Sequence, residues 1–220
     1  MARNEYQHQL AGLREDVLEM SDIVCDRLQC AIEAYETKDE MVAEEVITGD
    51  HEINQLYLDL EQDCIGLLAL QQPVAGDLRF IASSFKIITD LERIGDLAVN
   101  LGEYATQAER DRYPDVDIAH IGTETIAMVE TAMRAYESDD APATYDVAAM
   151  DDEIDARCEQ TTRIVVRDLV EPDDDDVDAV LEDVSRLLLT IRDLERVGDH
   201  AVNIAARTLY MVANDDELIY

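Results

Sequence analysis

Tryptophan is absent from the 220 residues, phenylalanine occurs twice, and lysine is found only at Lys38 and Lys86. With so few large rings, the 47% hydrophobic content leaves packing to aliphatic side chains, which suits helix-on-helix contacts. No uncharged apolar segment approaches the ~20 residues of a membrane span. The N-terminus has no cationic stretch ahead of an apolar run, so direct membrane insertion is not expected. Cys25, Cys30, Cys64 and Cys158 form no CxxC pair. That argues against zinc or redox use and predicts four small buried thiols in a reducing compartment. No segment alternates convincingly with period 2, and Asn-Gly and Asp-Gly hairpin signals are missing. Nothing resembles a nucleophile elbow, a Walker loop or a Rossmann fingerprint, so an enzyme is not expected.

Acid is what the chain has in excess. Asp and Glu number 52 against 17 Lys and Arg, a net charge of −35. A compact body with that charge repels itself at ordinary ionic strength. In molar salt the screening length falls to about 3 Å and the repulsion largely disappears. Excess acid with almost no lysine therefore points to a halophilic, high-salt cytoplasm. The same charge excludes sequence-independent nucleic-acid binding, which needs phosphates neutralised by Lys and Arg, and disfavours adsorption to anionic lipid.

Apolar residues recur in steps of three and four, as in Leu10, Leu13, Val17, Met20, Val24, Leu28 and Ile32. Six helices are predicted, over about residues 5–36, 40–71, 77–111, 115–137, 142–170 and 176–214. Thr37 and Asp39 are candidate N-caps for the second, and Gly49 loosens it locally. Pro73, Pro114, Pro142 and Pro172 all fall at the predicted breaks. The acidic run Asp173 to Asp176 favours the start of the sixth helix. The fold class is all-α, two tandem, sequence-related three-helix bundles, residues 1–112 and 113–220, in an elongated body.

The duplication rests on one stretch. Asp90-Leu-Glu-Arg-Ile-Gly-Asp-Leu-Ala-Val-Asn100 returns as Asp193-Leu-Glu-Arg-Val-Gly-Asp-His-Ala-Val-Asn203, identical at nine of eleven positions. At 100° per residue, Leu91, Ile94, Ala98 and Leu101 share one side of a helix, and Glu92, Asp96 and Asn100 share the other. Carboxylates one turn apart repel unless something positive lies between them. Glu195, Asp199 and Asn203 repeat the arrangement. A second repeated feature carries Asp50 with Asn54 in the second helix and Asp151 with Asp155 in the fifth. Oxygen ligands from neighbouring helices can surround hard cations: iron, manganese, magnesium or calcium before zinc or copper.

These residues resemble the PhoU family of phosphate-uptake regulators, whose hallmark is two tandem three-helix bundles bearing Glu/Asp-x-x-x-Asp pairs. Glu92-Arg-Ile-Gly-Asp96, Glu195-Arg-Val-Gly-Asp199 and Asp151-Asp-Glu-Ile-Asp155 match it, whereas Asp50-His-Glu-Ile-Asn54 ends in Asn. Gln71-Gln-Pro-Val-Ala-Gly-Asp-Leu-Arg79 is similar to the family's turn before the third helix, and the second half, with Glu171-Pro-Asp-Asp, lacks the Asp-Leu-Arg. The resemblance implies a negative regulator of phosphate uptake that is not an enzyme. It would act on the cytoplasmic ATPase subunit of a phosphate ABC transporter and, where one exists, on a sensor kinase. It further implies a homodimer and metal ions or clusters, iron first, on the carboxylate faces.

Metal ligands are therefore expected at Asp50, Glu92, Asp96, Asp151, Asp155, Glu195 and Asp199, with Asn54, Asn100 and Asn203 as weaker candidates; Asn100 and Asn203, at the rim of the stripe, are read alternatively as binding metal-bound water or the neighbouring helix. Arg93 and Arg196 are expected to pair with acids of the adjacent helix, or, in a second reading, to hold an anion. Gly95 and Gly198 each cost about 1 kcal/mol relative to Ala and so suggest a close helix approach or room for a metal cluster. His200, in place of Leu97, is expected to be a half-buried ring. Two other functions compete: a metal-free helical adaptor, and a di-iron oxidase suggested by Glu5-x-x-His8, for which no second such pair exists.

Overall fold

The apolar spacing does produce helices. In a computed structural model, which describes residues 2–70, 73–107, 116–170 and 177–218, the elements are α1 (Ala2–Thr37), α2 (Glu40–Thr48), α3 (Asp50–Leu70), α4 (Ala75–Thr106), α5 (Ile118–Ser138), α6 (Ala143–Val170) and α7 (Val177–Ala213). The described residues contain no strand. Pro73 and Pro142 lie between helices as expected. Pro114, Pro172, the Asp173 to Asp176 run, Gln71, Gln72, Glu171 and the 112/113 boundary lie outside the described residues.

Caps explain the turns. Lys38 takes a left-handed φ of 56° and ends α1. The Asp39 side chain then accepts from the Met41 and Val42 amides at 2.9 and 3.3 Å, as an N-cap does. Thr37 is not a cap: its hydroxyl donates to Glu33 O inside α1. Asp139, also left-handed, closes α5.

The predicted second helix is split into α2 and α3 at Gly49. Beside it lies Arg27 of α1, whose guanidinium occupies the place a side chain at Gly49 would take, 1.5 Å from an ideal Cβ. It donates to Val46 O at 3.4 Å and pairs with Glu52 at 2.9 Å, so it occupies the carbonyl freed by the break. The kink places Asp50 at the first position of α3. Met150, its counterpart before Asp151, lies within the unbroken α6.

Each half is a three-helix unit if α2 and α3 are counted as the two segments of one predicted helix, with α4 against α1, α2 and α3 in the first and α7 against α5 and α6 in the second. The halves also pack on each other, α1 on α5 and α4 on α7. Val17, Met20, Val24 and Leu28 of α1, Ile88 and Leu91 of α4, Val129 of α5 and Leu194 and Val197 of α7 are buried in one continuous core. At the end of the bundles near the α5–α6 turn, Arg14 lies over the stacked rings of Phe80 and Tyr136 and donates to Tyr136 O and Glu137 O, tying α1, α4 and α5. Of the four thiols, Cys64 and Cys158 are buried, Cys25 is half-buried and Cys30 is exposed, so the expectation of four buried cysteines holds for two. None is in a disulfide. Burial pushes the thiols of Cys25, Cys64 and Cys158 up to about 12, which leaves them inert.

Candidate metal-binding faces and the join between the halves

The seven predicted acidic ligands fall into two groups, one per half. On the first face, α3 supplies Asp50 and α4 supplies Glu92 and Asp96. Burial raises the Glu92 carboxyl above its usual range, and Asp96 and Asp50 add to the effect. Arg93 works against it, 3.3 Å from Glu92 and 3.0 Å from Asp96. Asn54 donates to Asp50 across one helical turn, at 2.5 Å. The first face is thus partly satisfied by its own residues.

The second face is more acidic. Asp151 and Asp155 of α6 meet Glu195 and Asp199 of α7. Burial first, and then Asp155, Asp199, Asp152 and Glu195, push Asp151 up to about 6. Glu195 is raised by burial and by Asp155 and Asp199; Asp199 is raised by burial and by Asp155, against the pull of His200 and Arg196. One oxygen of Asp151, Oδ1, is buried without a hydrogen-bond partner. Such an atom costs about 1–3 kcal/mol, more when charged, unless something satisfies it. It fits where it does because residue 198 is glycine, since a Cβ there would stand 3.1 Å from it. Gly95, in the first copy, instead accepts Ile53 of α3, whose Cδ1 would meet a Cβ at 3.1 Å. Both glycines serve the close helix approach expected of them, with a carboxylate on one face and a methyl on the other.

Among the described residues, no three His, Cys, Asp or Glu side chains converge as a ready-made ligand shell. The unpaired Oδ1, the all-oxygen donor set and the mutually repelling acids of the second face nevertheless suit a hard cation. The first face fits less well, because Asn54 and Arg93 already occupy its oxygens.

The arginines pair differently from expectation. Arg93 bonds acids of its own helix, and the nearest acid recorded for Arg196 is Asp193, also on its own helix, at 3.9 Å. Arginine at three or four residues from an acid reaches it without leaving the helix. Glu5 and His8 are both exposed near the start of α1, which gives the oxidase reading no support.

Two positions that tie the halves together escaped the sequence reading, Asp90 and Asp193, the first residues of the repeated motif. Asp193 is fully buried and accepts from Asn100 at 3.2 Å and Tyr104 at 3.0 Å, both on α4, and from Arg192 beside it. In the other direction, Asp90 accepts from Asn203 at 3.4 Å and lies 2.9 Å from Nδ1 of the half-buried His200, both on α7. Each motif therefore grips the other across the join of α4 and α7, Asn100 to Asp193 and Asn203 to Asp90. In the structure the two asparagines face this join. A cleft of about 280 Å³ opens beside it, lined by Asp50, Asp96, Asn100, Arg93 and Arg196, so residues of both halves share it.

With two motif-bearing halves joined by pseudo-equivalent contacts, the chain can be placed among known proteins. The PhoU domain model matches it twice, over residues 17–105 and 118–208. The chain belongs to the PhoU family. It is 34% identical to a phosphate-specific transport system accessory protein PhoU homolog of Pseudomonas aeruginosa, over 96% of this chain and 87% of that one. A relative of the same description, PhoU homolog 1 of Methanothermobacter thermautotrophicus, is 33% identical over 94% of each chain. The crystal structure of PhoU from Pseudomonas aeruginosa superposes with a TM-score of 0.89 at 31% identity, covering 96% of this chain and all of that one. PhoU from Streptococcus pneumoniae gives 0.87 at 25%, covering 96% and 98%. The Pseudomonas aeruginosa and Methanothermobacter thermautotrophicus relatives are both named as accessory proteins of a phosphate-specific transport system. Among the described residues, no helix is long and apolar enough to cross a membrane.

Proposed function

We propose that this PhoU protein is a negative regulator of phosphate uptake in a high-salt cytoplasm, acting on the ATPase subunit of a phosphate-specific ABC transporter and, where one is present, on a sensor kinase. The observation that carries the transport role is the full-length likeness to proteins named as accessory to a phosphate-specific transport system. The −35 charge supports the halophilic setting. A homodimer is part of the same reading.

The carboxylate faces supply the structural part. Asp151, Asp155, Glu195 and Asp199 would hold a hard cation on the second face, and Asp50, Glu92 and Asp96 a weaker one on the first. Iron is the first candidate, with manganese, magnesium or calcium as alternatives. The bound cation would supply positive charge to acids that otherwise repel. The chain's own part is to hold α6 on α7, and α3 on α4, so that the outer helices present fixed surfaces to a partner. Because no ligand shell is ready-made, the acids must change rotamer to close around an ion.

Deleting the gene should raise phosphate accumulation in phosphate-replete cells, and the wild-type gene should restore it. Unchanged accumulation would remove the transport role. Elemental analysis of protein purified without chelator separates this reading from a metal-free adaptor.

A further inference from the structure

Helix α3 packs on α1, α2 and α4 and leaves its outer side open. His51, Gln55, Leu58, Gln62, Ile65 and Ala69 follow one another by three or four residues on that side, and all six are exposed. None is Asp, Glu, Lys or Arg, in a chain where 31% of residues are. Leu58 and Ile65 are each 54% exposed. Single exposed apolar residues need no explanation, but two large ones aligned two turns apart on a strip without charge suit a recognition surface. The second repeat provides the control. The matching positions of α6 are Asp152, Ala156, Glu159, Arg163 and Val166, also exposed, and Glu159 and Arg163 form an ion pair across that row at 2.5 Å. One copy carries charged residues on this face where the other carries none.

Acids border the row on both sides. At 100° per residue, Glu52, Asp59 and Asp63 fall along one edge and Glu61 along the other. Arg27 neutralises Glu52, and no salt bridge is recorded for the remaining three among the described residues. A second copy laid on this face would press acids directly against acids, within the ~3 Å over which even molar salt does not screen them. Nucleic acid and anionic lipid would meet the same repulsion. We infer that the outer face of α3 is a docking surface for an amphipathic helix of a partner protein, with apolar side chains on Leu58 and Ile65 and Lys or Arg flanking them. This deepens the transporter-docking reading above. It does not depend on metal, so failure of the metal sites leaves it standing.

The test uses a fluorescent 18-residue helical peptide with a leucine row flanked by lysines, titrated into the full chain and followed by anisotropy. Saturable binding is expected, weakened at least about tenfold by Leu58→Glu or Ile65→Glu, a loss of the size single interface anchors give. Ile164→Glu on α6 should leave it unchanged. Because Leu58 and Ile65 are each more than half exposed, the thermal melts of their variants should coincide with wild type. Binding untouched by Leu58→Glu and Ile65→Glu would overturn the proposal, as would equal affinity for a glutamate-flanked peptide or for a lysine peptide without the leucines. Sedimentation equilibrium covers the other occupant: a dimer dissolved by these substitutions would assign the face to a second copy and equally overturn it.

Discussion

The two carboxylate faces descend from one sequence and have been finished differently. On the first, Asn54 donates to Asp50 and Arg93 sits between Glu92 and Asp96, so three acids are satisfied by an amide and a guanidinium. On the second, four acids face one another, Asp151 is held up to about 6, and its buried Oδ1 has no partner. A helix pair can tolerate adjacent acids by supplying its own positive groups or by leaving room for a cation. The first half has gone further along the former route and the second along the latter. On that account, the second face is proposed to be the tighter of the two candidate metal sites.

The comparison breaks most directly on affinity. Asp151→Ala with Asp199→Ala should weaken manganese or ferrous-iron binding by about 100-fold, and Asp50→Ala with Asp96→Ala by about tenfold, read by competition with a fluorescent chelator. Equal losses would mean that Asn54 and Arg93 do not spare the first face. Asn54→Asp sharpens the same point, because a fourth acid should bring the first face toward the second.

The join between the halves has its own asymmetry. Asp193 is buried and accepts from three side chains, whereas Asp90 is partly exposed and accepts from two. Asp193→Ala should cost about 2 kcal/mol and Asp90→Ala about 1 kcal/mol, measured as shifts in denaturant midpoint. The reverse order would make the His200 contact the stronger clasp.

Glycine substitutions come next. Gly95→Ala pushes on Ile53 and Gly198→Ala on the Asp151 carboxylate. Each should destabilise by about 1 kcal/mol, overriding the gain in helix propensity. Only Gly198→Ala should also weaken metal binding, which isothermal titration would show.

The smallest effect expected is on pH. Asp151 binds its proton more tightly folded than unfolded, so between its ordinary value of 3.8 and about 6 the native state carries the extra proton. Stability of the chelator-treated protein should therefore rise as pH falls from 7 toward 5, and be lost again as pH climbs through about 6. With the carboxylate partly solvated, the contribution is on the order of 1 kcal/mol or less. Asp151→Asn should flatten the dependence in thermal melts, and the first face should contribute less.

Much of this was legible before any coordinates. Helices and duplication follow from local periodicity and from eleven residues that repeat, and the acid pairs lie on those same helices. What stayed hidden depends on residues far apart in sequence. Nothing near Gly49 announces that Arg27, on another helix, will occupy its place where α2 gives way to α3. The ends of the motif were harder still. Asp90, Asn100, Asp193 and Asn203 recur in both copies, a signal in plain view, but only the contact of α4 with α7 shows that they bind each other. Asn100 and Asn203 fell on the acidic stripe, and periodicity cannot tell a ligand from a group turned toward a neighbouring helix.

Anomalous diffraction from crystals grown in high salt with manganese is the most direct trial of the account. It should show an ion among Asp151, Asp155, Glu195 and Asp199, at higher occupancy than any beside Asp50, Glu92 and Asp96. Water alone on the second face, or an ion on the first face only, would contradict it.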